Sequence, residues 1–110
     1  MTEGNGPTFQ DLLQTAQRMQ QELSRVQAEL AQKRVEGSAG GGMVTAVANG
    51  RQQLISLRIE KEVVDPSDIA MLQDLVLAAV NQALAKAAEV AQQEMAKVTG
   101  QVNLKLTGLL

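Results

Sequence analysis

The chain has 110 residues, enough for one domain, and a lone chain of this size leaves much of its surface in water. It has no Cys and no His, which excludes thiol nucleophiles, disulfides, cysteine–histidine zinc sites and imidazole acid–base catalysis. Its one aromatic residue, Phe9, excludes a stacking platform for single-stranded nucleic acid, and a net charge of −2 gives no overall attraction to a polyanion.

Residues 1–7 contain Gly4, Asn5, Gly6 and Pro7 and predict a flexible leader. This start has neither the basic nor the apolar region of a secretory signal, so the expected setting is the cytosol. Thr8 stands where an N-cap belongs, with Asp11 three residues on as an approximate capping box. Phe9, Leu12, Ala16, Met19, Leu23, Val26 and Leu30 then recur at alternating steps of three and four. That is an a/d seam on a helix from about 8 to 33, ~38 Å long, with Gln, Glu, Arg, Ser and Thr filling most other positions. The seam suits packing on another helix of the same chain and packing on a second subunit equally well.

Residues 33–38 predict a short edge strand, and Gly37 with Gly40, Gly41 and Gly42 a loop. Met43 to Ala48 is strand-like, and Asn49-Gly50 predicts a two-residue type I′ hairpin. Leu54 to Glu60 alternates, placing Ile55, Leu57 and Ile59 on a buried face and Ser56, Arg58 and Glu60 on a wet one. A second helix is expected to open at Asp65, with Pro66 at its first position, and to stop at Gly100. Its stripe is broad through Val80, suited to covering the sheet, and thins to small residues and charges beyond Ala85. Residues 99–110 fit a frayed tail or an added strand. The longest apolar run, Leu75 to Val80, is far too short to cross a bilayer.

The glycine run at 37–42 lacks the Gly-Lys-Ser/Thr ending of a phosphate loop and leads into a strand, so it is a turn. Glu60, Glu62, Asp65 and Asp68 match no calcium-loop spacing, and the last two stand where cap and first-turn acids belong. Met19, Met71 and Met95 lie on apolar stripes as gap-fillers. No cofactor, metal or catalytic group is expected. Charge is uneven: from Arg18 to Arg58 six cations face three acids, whereas from Glu60 onward four face seven. Arg18 and Arg25 share a helix face two turns apart, and Lys33 and Arg34 follow near its end. Such a row can touch successive phosphates, or it can pair with Glu22 and Glu29 along the helix.

In the order and spacing of three segments the chain resembles the YbaB/EbfC family. They are LLQTAQRMQQEL in the first helix, VEGSAGGGMVTAVANG through loop and hairpin, and MLQDLVLAAVNQALAKA in the second helix. The resemblance covers about residues 9–98. It implies an α+β fold (α-β-β-β-α) and a tweezer-like homodimer, with small sheets in the middle and long helices as arms. It further implies a bacterial, cytoplasmic, nucleoid-associated protein, not an enzyme, that binds double-stranded DNA with a possible role in nucleoid organisation and gene regulation. By that resemblance Arg18, Arg25, Lys33 and Arg34 on the first helix and Lys86 and Lys97 on the second are the expected DNA contacts. The chain departs from the family pattern in offering Gln14, Gln17, Gln20, Gln21, Gln92 and Gln93 where cations are common. Leu12, Met19, Leu23, Val26, Leu30, Ile55, Leu57 and Ile59 are the expected dimer or packing seam. The expected partners are double-stranded DNA and a second copy, with no membrane and no small-molecule substrate. The competing expectation is a dimeric helical adaptor whose paired helices bind another protein.

Overall fold

A computed structural model describes the backbone of residues 6–109 and the side chains of residues 6–100. Most of the expected leader therefore lies outside the described residues. The elements run α1 (Phe9–Gln32), β1 (Arg34–Ala39), β2 (Val44–Asn49), β3 (Leu54–Ile59), a 3₁₀ turn (Lys61–Val63) and α2 (Ile69–Leu109). The expected α-β-β-β-α order is the observed one.

α1 begins as its capping box dictates: the Asp11 N–H donates to Thr8 Oγ1 at 3.1 Å, and the Thr8 N–H donates back to Asp11 Oδ2 at 3.0 Å. The strands form one antiparallel sheet in the order β1-β2-β3. Val44, Ala46 and Ala48 of β2 point at α2 and are fully buried against Ala79, Ala83 and Ala87. These three alanines recur every fourth residue, so the helix presents a flat stripe and approaches the sheet closely. Gly37 completes that approach from β1, since a Cβ there would overlap the Ala79 carbonyl oxygen and the Ala83 nitrogen. Gly37 is therefore a strand residue rather than part of the loop; the turn is Gly40–Met43, with Gly40, Gly41 and Gly42 at positive φ. Two bonds fasten the same junction: the Ser38 N–H donates to Gln82 Oε1 at 2.7 Å, and Lys86 Nζ donates to the Glu36 carbonyl at 2.8 Å.

Where α2 leaves the sheet, it meets α1. Val26 and Leu30 pack on Val98 with Leu23, Val90, Ala91 and Met95 around them. The proximal half of the α1 seam is thus satisfied within the chain. Its distal half is not covered by the described residues: Leu12 and Met19 are exposed, and Phe9 is 75% exposed. The result is a rod 82 Å long and only 18 by 16 Å across.

Several local expectations differ from the structure for identifiable reasons. β3 has no buried face, because α2 lies over β1 and β2; Leu54, Ile55, Leu57 and Ile59 are all exposed. A bulge opposite Val47/Ala48 also leaves Ile55 out of the pairing and breaks the expected alternation. α2 opens at Ile69 rather than Asp65, since the Asp65 carboxylate accepts from the Ser67 N–H and hydroxyl in a tight turn. Asp68 instead serves as the cap, accepting from the Met71 N–H at 3.1 Å. Gly100 does not stop the helix, whose backbone continues to Leu109, so residues 99–109 extend α2 rather than add a strand; one glycine costs only ~1 kcal/mol in a helix interior. Met71 is exposed rather than a core filler.

Candidate nucleic-acid interface

The six expected contact residues all lie on or beside the helices, but five of them hold partners in their own chain. Arg25 is clamped from both sides: its guanidinium donates to both Glu22 oxygens, at 2.8 and 3.2 Å, and to Glu29 at 2.6 Å. Hydrogen bonds to Glu22 and then Glu29 push its pKa further above its already high ordinary value. This triad carries a net charge of −1, so the middle of α1 is not a cationic surface. Lys33 does not pair with Glu29, its favourable i,i+4 neighbour, but reaches Glu94 across the arm at 3.8 Å. Glu94 also takes Lys97 at 3.2 Å, and so holds one cation from each helix. Arg34 Nη1 donates to the Ala31 and Lys33 carbonyls, capping the C-terminus of α1. Lys86 is the fastener to β1. Among the described residues the side chains of Arg18, Arg51 and Lys61 carry no hydrogen bond or ion pair.

Arg51 and Lys61 were absent from the expected set. The signal for Arg51 was present, because it directly follows the Asn-Gly pair and so had to stand on a loop tip. That tip differs from the expected two-residue turn. The Gln52 N–H donates to the Asn49 carbonyl at 3.1 Å and the Asn49 N–H to the Gln53 carbonyl at 2.9 Å, enclosing three residues. Gln52 has φ +61°, whereas Gly50 does not have positive φ. This is the three-residue hairpin, with a type I turn followed by a left-handed residue.

Among the described residues no three acids gather as a metal site, and the pockets found are open grooves. One groove, between β3 and the start of α2, is open and apolar, lined by Ile59, Leu72, Gln73, Val76, Leu77 and Val80. A second, shallow one lies on α1 between Arg25 and Lys33. Among the described residues no helix is long and apolar enough to cross a membrane.

Comparison with known proteins places this architecture. The chain is 52% identical over 107 residues to the nucleoid-associated protein TTE0040 of Caldanaerobacter subterraneus subsp. tengcongensis, covering 94% of this chain and 96% of that one. It is 54% identical over 97 residues to a nucleoid-associated protein of Acetivibrio thermocellus, covering 88% and 86% of the two chains. The crystal structure of protein HP0035 from Helicobacter pylori superposes with a TM-score of 0.76 over 84% of this chain and 97% of that one, at 22% identity, and so shares the fold. Residues 5–102 match the model of a family described as the YbaB/EbfC DNA-binding family. That family is one of DNA-binding proteins rather than enzymes, and at this identity over nearly its whole length the chain belongs to the YbaB/EbfC DNA-binding family.

Proposed function

We propose that the chain acts in the bacterial nucleoid as a homodimer that grips double-stranded DNA between helical arms, organising the chromosome and thereby influencing gene expression. The match of residues 5–102 to a DNA-binding family is the observation that carries the DNA-binding part. Phosphate contact is the mode that the side chains favour. Arg18 has no protein partner among the described residues, and Lys33 and Lys97 hold exposed ammonium groups against one shared, partly buried acid, Glu94, a contact that a phosphate can replace. Exposed glutamines along both arms add hydrogen bonds to the backbone without adding charge.

The uncovered edge supports pairing with a second copy, because β3 is an edge strand whose apolar side chains face solvent. Leu54, Ile55, Leu57 and Ile59 are roughly half exposed, beside a groove that continues the same surface along α2 to Leu77 at 61% exposure. Unpaired apolar edges invite association, and covering each such side chain contributes about 1 kcal/mol at ~25 cal/mol per Å². Two copies related by a two-fold axis would cover both edges and leave the α1/α2 arms projecting. Titrating the protein into a mixed-sequence duplex at 50 and 200 mM salt tests the function. Binding should weaken steeply between the two. Absence of binding at the lower salt would leave an adaptor role as the better account.

A further inference from the structure

Arg51 stands on a turn that is fixed unusually firmly for an exposed hairpin tip. Asn49 is 4% exposed, and both polar atoms of its side chain are engaged: Oδ1 accepts from the Arg51 N–H at 2.9 Å and the Gln53 N–H at 3.1 Å, while Nδ2 donates to Gln53 Oε1 at 2.8 Å. Gly50 ties the turn to the arm. Its N–H donates to the Leu30 carbonyl at 2.8 Å, and a Cβ there would lie 2.8 Å from that same oxygen. Gln52 is the one non-glycine residue at positive φ among the described residues, a conformation that costs about 1 kcal/mol and persists where surroundings over-determine it. The sheet register sets Arg34 directly across from Asn49, with Lys33 just before it. Lys33, Arg34 and Arg51 thus all stand within two residues of the Arg34–Asn49 pair, where the arm leaves the sheet. Lys33 and Arg34 are engaged with Glu94 and the α1 carbonyls, which leaves Arg51 as the uncommitted charge on a rigid mount.

We propose that the Asn49–Gln53 turn is a second DNA-contacting element, in which Arg51 binds a backbone phosphate at the arm root, so that the duplex is held there as well as along the helices. The inference rests on the DNA-binding reading above and adds to it a residue outside the helices. Pre-fixing the turn means that little chain entropy remains to be lost on contact.

Salt-dependent binding to one mixed-sequence duplex, measured by fluorescence anisotropy for the full chain, tests it with Arg51→Ala, Arg51→Lys and Lys61→Ala. Lys61 follows the far end of β3, lacks a side-chain partner as Arg51 does, and controls for net charge. Arg51→Ala should weaken binding by roughly three- to tenfold and lower the log–log salt slope by about 1, with an unchanged melting temperature. Arg51→Lys should keep the slope, and Lys61→Ala should match wild type. Wild-type affinity and slope in Arg51→Ala would overturn the proposal while leaving the DNA-binding reading intact. Equal losses in Arg51→Ala and Lys61→Ala would overturn it too, as an effect of bulk charge. A wild-type chain that binds no duplex would remove the underlying reading instead.

Discussion

Gln52, Gly37 and Asp65 each show a backbone requirement meeting or missing its ideal residue. At φ +61°, Gln52 holds a position made for glycine, so Gln52→Gly should stabilise the protein by about 1 kcal/mol in chemical denaturation. Gly37→Ala should act oppositely and more strongly. Its methyl would press on the backbone of Ala79 and Ala83, which cannot rotate aside, and a cost of about 3 kcal/mol is expected from the same measurement. The Ser67 hydroxyl, and after it the Ser67 N–H, hold the Asp65 carboxyl below its ordinary pKa. Its contribution to stability is therefore present above the unfolded-state value and disappears as pH falls through the folded one. Ser67→Ala should move the Asp65 titration upward in an NMR pH series. Glu94 is the anion that occupies Lys33 and Lys97 together, so Glu94→Gln should tighten duplex binding several-fold at low salt.

Among the elements, α1 was the most legible, because a capping box and a seven-member seam are local and mutually consistent. Its packing was not. Among the described residues only the half around Val26 and Leu30 meets α2, and no spacing rule says how far along the partner helix contact extends. Leu30→Ala should cost about 2–5 kcal/mol and should accelerate hydrogen exchange through α1 more than through the sheet. The hairpin was legible as a reversal at Asn49-Gly50, but its length was decided by the Leu30 carbonyl, a partner twenty residues away in sequence. The α2 boundaries failed for opposite reasons. At its start the Asp65 side chain favoured a turn, and at Gly100 a single weak residue was outvoted by regular helix on either side. The alanine stripe of α2 brings the helix close to the sheet, which composition alone does not reveal. The cations were legible as residues, but their partners were not, since Lys33 and Glu94 are joined only by the fold.

For the molecule as a whole, the decisive feature is what a single copy leaves bare. Leu57 lies near the centre of the uncovered β3 surface, so in the proposed dimer Leu57→Asp should shift the protein to single chains in analytical ultracentrifugation at micromolar concentration. It should weaken duplex binding in parallel, because one arm pair then acts alone. Retained dimerisation in that variant would move the proposed subunit interface away from β3.

The uninterrupted course of α2 has a mechanical consequence. Its first turns are seated on the sheet, and about 22 further residues, some 33 Å, extend past it without a proline. A tilt of about 10° at the seat therefore displaces the far end by about 6 Å and carries with it the part of α1 packed on Val90, Ala91, Met95 and Val98. The helix is a lever whose fulcrum is the alanine stripe, and enlarging Ala83 would change the reach of the distant tip without touching it.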